Sequence, residues 1–219
     1  MIEGLYAVTP EEPDTEVLTR KVRAALAGGA RVLQYRNKTL DARGRREQAA
    51  ALHALCLVTG IPLIVNDDVD LALAIRAGGV HLGREDADLA GARDRLPQGA
   101  VIGASCYASL DRAGAARRAG ADYVAFGSAF PSSTKPRASR VPISLYREAR
   151  RTLDCPIVAI GGITPENSGI LIEAGVHAVA VISSLFDAPD IECRAREFSS
   201  LFHILLAKGK TVPARPAGR

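Results

Sequence analysis

The chain has 219 residues, a length that fits one domain, and with 47% hydrophobic residues it can bury a sizeable core. The net charge of +4 is accounted for by four cations near the end of the chain, Lys208, Lys210, Arg215 and Arg219, so the remainder is neutral overall. This distribution argues against a nucleic-acid partner, which would need a basic surface on the folded domain.

Tryptophan is absent and aromatic residues make up only 5% of the chain, which predicts an aliphatic, alanine-rich core. The four cysteines are scattered without a C-x-x-C pair, a pattern typical neither of a zinc site nor of a disulfide framework. The opening residues, MIEGLYAVTP, lack a basic and apolar leader, and no apolar run approaches the ~20 residues that span a bilayer. We therefore expect a cytoplasmic protein without a membrane partner.

Short apolar runs alternate along the chain with helix-type segments. Continuous apolar runs are typical of parallel strands that are covered on both faces. Eight strands are predicted: GLYAVT (4–9), RVLQYRN (31–37), PLIVND (62–67), GVHLG (79–83), VIGASC (101–106), YVAFGS (123–128), PIVAIGG (156–162) and AVAVISS (178–184).

The segments between these strands are rich in Ala, Leu and Arg at helical spacing, for example 14–27, 40–59 and 68–77. Asp14 is predicted to cap the first helix, and Asp68 the third. Four predicted helices end in an Ala-Gly pair, where glycine suits the left-handed position after a helix: Gly28, Gly78, Gly120 and Gly175.

Eight strand–helix units without an internal linker predict a single (β/α)8 TIM barrel over 1–206, followed by a basic, disordered tail at 207–219. A doubly wound open sheet is the alternative fold. Barrel sites are built by loops at the carboxyl ends of the strands, so polar residues that follow the predicted strands are the candidates.

The second strand ends in Gln34, Arg36 and Lys38, which alternate and are therefore predicted to share one face. Two cations and an amide on that face would bind an anion, and the alternative is ordinary surface charge at a strand exit. His81, within the fourth strand, is interpreted as a packed or hydrogen-bonded core histidine.

Carboxylates follow the third and fourth strands. Asp67 is predicted to face the barrel mouth, and Asp86 comes just past the fourth strand. Two carboxylates from adjacent loops could share one hard cation, and Mg²⁺ prefers one or two carboxylates together with waters and substrate phosphates.

The fifth strand ends in Ser105 and Cys106. Either would need a neighbouring base to act as a nucleophile, and the sequence shows no obvious one. Covalent catalysis is therefore not expected.

The last three strands run into small and hydroxyl residues. Gly162 and Ser183 follow the seventh and eighth strands, the usual phosphate site of such barrels, and Thr164 is a predicted N-cap. The loop PSSTKPRASR (131–140) carries hydroxyls and Lys135, and it is long and polar enough to serve as a lid. Two anion sites are predicted in one mouth.

The motifs LQYRNK, IVNDDVDLALAIRAGGVHLGREDADL, IGASC, YVAFGSAFPSSTKP, IVAIGGITPEN and AVAVISSLF occur in one order and spacing. Together they closely resemble the thiamine phosphate synthase family over roughly residues 4 to 186. The resemblance implies a transferase that joins hydroxymethylpyrimidine diphosphate to thiazole phosphate, giving thiamine monophosphate and pyrophosphate. It also implies a dissociative reaction in which the C–O bond breaks before the thiazole nitrogen attacks.

The resemblance further implies three ligand sets and a group of catalytic cations. The pyrimidine diphosphate would be held by Gln34, Tyr35, Arg36, Asn37, Lys38, Asn66, Ser105 and Lys135. The thiazole phosphate would be held by Ser132, Ser133, Thr134, Gly162, Ile182 and Ser183. One Mg²⁺ ion would be held by Asp67 and Asp86, and the catalytic cations would be Arg36, Lys38 and Lys135. The side chain of Asn37 is expected to lie on the other face of its strand, and Ser132 stands where many relatives carry threonine.

Two rival functions share this barrel. A TenI-like thiazole tautomerase or regulator would lack the full diphosphate and metal set, and Ser128 occupies the place of the functional histidine in the tautomerase branch. A non-catalytic phosphate-binding barrel would not need two metal carboxylates. The sequence leaves open whether the protein is a monomer or a homodimer.

Overall fold

The structure is a computed structural model that describes residues 2–83, 88–131 and 140–208, with 206–208 described as helix only. Within these residues eight parallel strands close into a barrel in chain order, and the last pairs with the first. The strands are β1 (Gly4–Val8), β2 (Ala30–Tyr35), β3 (Leu63–Asn66), β4 (Gly79–Leu82), β5 (Val101–Tyr107), β6 (Tyr123–Gly127), β7 (Ile157–Ile160) and β8 (Ala178–Val181).

A helix follows each strand. In the described parts of the chain the helices are α1 (Thr15–Ala27), α2 (Ala42–Thr59), α3 (Val69–Ile75), α4 (Leu89–Arg95), α5 (Leu110–Arg118), α6 (Ile143–Thr152), α7 (Pro165–Glu173), α8 (Ser183–Phe186) and α9 (Ile191–Lys208). The predicted (β/α)8 barrel is confirmed, and every predicted strand is found. The last helix continues to Lys208, slightly past the predicted domain end, and the rest of the tail lies outside the described residues.

The predicted helix starts are confirmed by side-chain hydrogen bonds. Asp14 accepts from the backbone N–H of Glu16 at 2.8 Å, and Asp68 accepts from that of Leu71 at 2.8 Å. Thr164 precedes α7, and its N–H donates to Oδ1 of Asn167 at 2.9 Å. Each pairs a backbone group that the first helical turn leaves unsatisfied.

The left-handed conformation predicted for four glycines is found at two of them. Gly120 and Gly175 have φ angles of 100° and 94°, as expected. Gly78 does not, because α3 ends earlier than predicted and Arg76 takes the left-handed position with φ 54°. Gly28 keeps a right-handed conformation, and a Cβ there would meet the Glu192 carbonyl oxygen at 2.3 Å. Close packing of α9 is therefore the reason for glycine at position 28.

The core has two layers. The layer between the barrel and the helices consists mainly of Leu, Ile, Val and Ala, as expected, but it also buries aromatic rings such as those of Phe126, Tyr146 and Phe198. Inside the barrel, two fully buried tyrosines, Tyr6 and Tyr123, lie among aliphatic residues. The prediction of an aliphatic core therefore holds for most of the core residues but misses these aromatic ones, and the two phenols inside the barrel lie beneath the functional site.

Candidate active site

A cavity of about 380 Å³ opens at the carboxyl ends of the strands. It is floored by the two phenols and walled by side chains from most of the strands and the loops that follow them. The predicted site residues that line it are Gln34, Arg36, Asn66, Ser105, Gly162, Ile182 and Ser183. We call it the barrel cavity. The structure thus brings residues from both predicted anion sites together in one mouth.

A second depression, the side groove, lies beside the barrel cavity. It is lined by Asn37, Lys38, Arg45, Asn66, Asp67, Asp68, Val69, Asp70 and Arg95. Asn66 lines both spaces, so the barrel cavity and the side groove adjoin at the end of β3. Lys38 and Asp67 therefore lie outside the barrel cavity but close to its opening.

The alternation after β2 is only partly as predicted. Gln34 and Arg36 face the barrel cavity, but Lys38 lies in the side groove, with Nζ 3.6 Å from Oδ2 of Asp67. The reason is that β2 ends at Tyr35, so the period of two does not extend to Lys38. The three side chains therefore do not share a single face.

Two residues predicted to hold the diphosphate point the other way. The buried Tyr35 donates from its hydroxyl to Oε1 of Gln48 on α2, at 3.1 Å. Asn37 also contacts Gln48, and its Oδ1 accepts from the N–H groups of Thr39 and Leu40. Both side chains are directed toward α2, as expected for Asn37, so a ligand contact from Tyr35 or Asn37 would have to come from the backbone.

Two residues that sequence reasoning missed hold the cations in place. Oγ1 of the fully buried Thr9 accepts from the N–H of Arg36 at 2.8 Å and donates to its carbonyl at 2.9 Å. Glu11 accepts from Nη1 of Arg36 at 2.7 Å and from the N–H of Lys38 at 2.9 Å. Both anchors follow β1, and only the parallel pairing of β1 with β2 brings them here.

Asp67 lies at the end of β3 in a left-handed conformation, with φ 62°. Its Oδ1 accepts from the N–H of Gly83 at 3.1 Å, and its Oδ2 accepts from Nδ2 of Asn66 at 2.6 Å. These contacts fix a half-exposed carboxylate at the mouth. Asp68 instead caps α3, as predicted. Within the described parts of the chain, no three or more His, Cys, Asp or Glu residues are grouped so that they could hold a metal ion.

The floor of the barrel cavity is a hydrogen-bonded chain that crosses the barrel. Nε2 of Gln34 donates to the hydroxyl of Tyr6 at 2.8 Å, and that hydroxyl lies 2.7 Å from the hydroxyl of Tyr123. The Tyr123 hydroxyl is 2.9 Å from Nδ1 of His81, and Nε2 of His81 is 2.9 Å from Oγ of Ser105. His81 is thus a hydrogen-bonded core histidine, as interpreted from the sequence.

The position of His81 corrects one expectation. No hydrogen-bond partner for Ser105 was evident from the sequence, yet the structure places an imidazole nitrogen of His81 within hydrogen-bond distance of its hydroxyl. Cys106 is no better a nucleophile, because burial raises the pKa of its thiol to about 12.

Burial also keeps the two phenols neutral. Removal from water raises the pKa of Tyr6 and Tyr123 well above the ordinary value of 10. Tyr123 fits because β5 carries Gly103 opposite it, where a Cβ would lie 2.0 Å from the ring carbon Cζ. The Tyr123 ring also stacks on His81, with centroids 5.5 Å apart.

The opposite wall is formed by the loops after β7 and β8. Gly161 and Gly162 have φ angles of 102° and 62°, and a Cβ on Gly162 would meet the Pro131 carbonyl oxygen at 2.2 Å. Only glycine fits this conformation and this approach. Ser183 begins α8, whose first N–H groups have no acceptor inside the helix.

Several predicted site residues lie outside the described residues. They are Asp86 in the loop after β4 and Ser132, Ser133, Thr134 and Lys135 in the loop after β6. The predicted lid at 131–140 falls in the same region.

The fold and the mouth define the class of protein. A closed (β/α)8 barrel with cations and a carboxylate on one side of the mouth and a glycine loop on the other is typical of enzymes that act on phosphorylated small molecules. No helix within the described residues is long and apolar enough to cross a membrane.

Comparison with known proteins identifies the family. Residues 5–185 match the family described as thiamine monophosphate synthase. The chain is 54% identical to the thiamine-phosphate synthase of Thiobacillus denitrificans over 199 residues, covering 91% of this chain and 94% of the relative. It is 55% identical over 202 residues to that of Methylobacillus flagellatus, covering 92% and 96%. A solved thiamine phosphate pyrophosphorylase from Pyrococcus furiosus superposes with a TM-score of 0.84 at 35% identity, covering 93% and 96%.

The chain therefore belongs to the thiamine monophosphate synthase family. The resemblance drawn from the sequence is confirmed, and so is the assignment to a transferase of thiamine biosynthesis.

Proposed function

We propose that the protein joins hydroxymethylpyrimidine diphosphate to thiazole phosphate, giving thiamine monophosphate and pyrophosphate, with the described residues in the roles below. The observation that carries the proposal is the single mouth in which Gln34 and Ser105, the cation Arg36 and the Gly162–Ser183 wall meet. Such a mouth can hold a ring and two separate phosphate groups, as this condensation requires.

The chemical step transfers an alkyl group. The bond between the pyrimidine methylene carbon and the diphosphate oxygen breaks, and its electron pair leaves with the diphosphate. The resulting cation is delocalised into the electron-rich aminopyrimidine, and the thiazole nitrogen then donates its lone pair to form the new C–N bond. No protein nucleophile takes part, which agrees with the buried, weakly acidic thiol of Cys106.

Arg36 and Lys38 stabilise the charge that develops on the diphosphate. Their present partners, Glu11 and Asp67, form partly exposed ion pairs. Pairs of this kind contribute only ~0–1 kcal/mol, so a diphosphate bearing several charges can replace them readily. Thr9 fixes the backbone of Arg36, and Glu11 holds its guanidinium, so the side chain is already directed to the mouth without ligand. Such preorganisation is what electrostatic catalysis needs.

The donor set suits Mg²⁺. Asp67 and Asn66 offer hard oxygen atoms at the edge of the side groove, and Mg²⁺ is typically bound by one or two carboxylates plus waters and substrate phosphates. Asp67, with Asp86 of the following loop, would hold the ion. When bound, it would supply further neutralisation of the leaving diphosphate.

The tautomerase alternative finds no support in the described residues. Ser128, at the place of the tautomerase histidine, is buried, and its Oγ donates to the Phe130 carbonyl at 2.6 Å. This hydroxyl shapes the loop after β6 and is not a base.

The reaction is tested with the purified protein, both substrates and Mg²⁺, by chromatography of thiamine monophosphate and an assay of pyrophosphate. Product that forms with Mg²⁺ and disappears with EDTA is the expected result. Binding of thiazole phosphate without any product would contradict the proposal and favour a TenI-like function.

The adjacent carboxylates Asp67 and Asp68 provide a matched test of the metal role. Asp67→Asn is expected to raise the Mg²⁺ concentration for half-maximal rate at least tenfold, because a metal carboxylate is lost while asparagine tolerates the left-handed backbone. Asp68→Asn is expected to leave that concentration unchanged, since Asp68 caps α3. Equal Mg²⁺ dependence in the two variants would contradict the assignment of Asp67.

A further inference from the structure

We propose that Tyr6, Tyr123 and His81 form a directional hydrogen-bond relay that gives Gln34 and Ser105 opposite polarity, so that the barrel cavity selects a ring carrying both a donor and an acceptor. The inference rests on the proposed function, in which that ring is the 4-aminopyrimidine. The three relay residues are positioning residues, because they act through the two relay ends.

The direction of the relay follows from counting hydrogens. Nε2 of Gln34 donates to the Tyr6 oxygen, so the Tyr6 hydrogen is available for the Tyr123 oxygen 2.7 Å away. Tyr123 then donates to Nδ1 of His81. A neutral imidazole that accepts at Nδ1 donates at Nε2, which here lies 2.9 Å from Ser105 Oγ.

The opposite direction of donation would leave one hydroxyl hydrogen without an acceptor. If Tyr123 donated to Tyr6, the Tyr6 oxygen would accept twice, and its own hydrogen would have no acceptor among the residues the structure describes. A fully buried hydroxyl hydrogen without a partner is unfavourable. The relay therefore runs from Gln34 to Ser105.

The two ends consequently differ. Gln34 has committed an N–H to Tyr6 and can present its carbonyl oxygen, an acceptor, to the cavity. Ser105 accepts from His81 and is left with its own hydrogen, a donor, for the cavity.

This pattern matches an aminopyrimidine. Its exocyclic amino group donates, and its ring nitrogens accept. A 4-oxopyrimidine of nearly the same shape has a carbonyl acceptor in place of the amino group and an N–H donor in place of the adjacent ring acceptor. Both ends of a relay that runs from Gln34 to Ser105 would then face groups of the wrong polarity. A site that commits buried polar groups to a ligand discriminates strongly against such mismatches.

The relay is buried beneath the barrel cavity. Its phenols are fully buried, and His81 is nearly so. Gly103 leaves the space that the Tyr123 ring fills, so the hydroxyl cannot easily shift away from its two partners. A rigid relay of this kind is suited to distinguishing ligand donors from ligand acceptors.

Tyr123→Phe tests the proposal because it removes one hydroxyl and keeps the ring. We expect the KM for the pyrimidine diphosphate to rise about tenfold, the scale of one hydrogen bond of this kind, with the KM for thiazole phosphate unchanged. We also expect weaker discrimination against the 4-oxo analogue of the pyrimidine diphosphate, measured as the ratio of its inhibition constant to the KM.

Tyr146→Phe is the matched control. Tyr146 is also fully buried and loses one hydrogen bond on substitution, from its hydroxyl to the Phe126 carbonyl at 3.2 Å, but it lies outside the barrel cavity. Both KM values and the discrimination ratio should stay at the level of the unsubstituted protein.

Tyr6→Phe breaks the relay one step nearer to Gln34 and gives the same prediction, so it serves if Tyr123→Phe does not fold. The relay would be contradicted if both relay variants behaved kinetically like Tyr146→Phe. It would also be contradicted if the KM values for the two substrates rose equally. Absence of thiamine monophosphate with the unsubstituted protein would instead overturn the proposed function.

Discussion

The floor and the rim of the barrel cavity bind polar groups in different ways. The floor consists of polar side chains from inside the strands, largely buried and joined in a continuous hydrogen-bonded chain. The rim consists of charged side chains just beyond the strand ends, and they are partly exposed and ion-paired. Burying an unpaired charge is strongly unfavourable, so the cations that receive a diphosphate lie where water can still reach them.

The difference suggests a division of labour within one site. The floor can distinguish rings by the direction of hydrogen bonds, whereas the rim can stabilise charge that appears only as the diphosphate leaves. Changes at the floor should therefore act mainly on affinity and selectivity for the ring, and changes at the rim on the rate and on affinity for the diphosphate group.

The largest effect is expected at the rim. Arg36→Ala should lower kcat by about 10²–10³-fold, the scale for loss of one preorganised group that stabilises developing charge. The measurement is kcat at saturating concentrations of both substrates. Arg43→Ala, which removes an exposed arginine on α2 that pairs with Glu47, is the control and should change little. A kcat near that of the unsubstituted protein for Arg36→Ala would contradict the role of Arg36 in stabilising the developing charge.

A smaller effect is expected beneath the floor. Gly103→Ala would place a methyl group 2.0 Å from Cζ of Tyr123, and overpacking of this kind costs about 1–3 kcal/mol of unfolding free energy. Thermal unfolding should show a lower Tm, and the KM for the pyrimidine diphosphate should rise with displacement of the ring.

Gly114→Ala gives the opposite expectation for the same change. Position 114 lies in α5, and its nearest neighbour to an added Cβ is Nη1 of Arg118 at 3.4 Å. Alanine is favoured over glycine in a helix by about 1 kcal/mol, so the Tm should be unchanged or higher. An equal loss of stability in both variants would contradict the claim that close packing against Tyr123 requires glycine at position 103.

The smallest effect concerns the anchor of the rim. Thr9→Val keeps the shape of the buried side chain but removes both hydrogen bonds to the Arg36 backbone. We expect kcat/KM for the pyrimidine diphosphate to fall about tenfold, since the loss leaves buried polar groups unpaired. Thr19→Val, which removes a hydroxyl bonded to its own helix, should leave kcat/KM unchanged. Equal kinetics for the two variants would mean that Thr9 does not position Arg36.

Local pattern predicted most of the architecture. The eight strands, the caps at Asp14 and Asp68, and the outward direction of Asn37 follow from periodicity and capping chemistry, which act over a few residues. The same reasoning failed at Lys38, because a strand period was extended past the end of the strand.

Contacts between distant segments could not be predicted in this way. Tyr6 and Tyr123 are 117 residues apart, and nothing near either residue indicates that their hydroxyls meet. Thr9 and Glu11 likewise act on a strand that begins about twenty residues later. Gly103 was the one available signal, since a glycine inside a strand often marks a close approach from another element.

The separation of floor and rim is tested most directly by titration calorimetry with hydroxymethylpyrimidine and with its diphosphate. The two ligands are titrated into the unsubstituted protein, Arg36→Ala and Tyr123→Phe. We predict that Arg36→Ala weakens the diphosphate at least tenfold but leaves the Kd of the alcohol within about twofold, as expected for independent sites. Tyr123→Phe should weaken both ligands by a similar factor. Weakening of the alcohol by Arg36→Ala as strong as that of the diphosphate, or weakening of the diphosphate alone by Tyr123→Phe, would contradict the account.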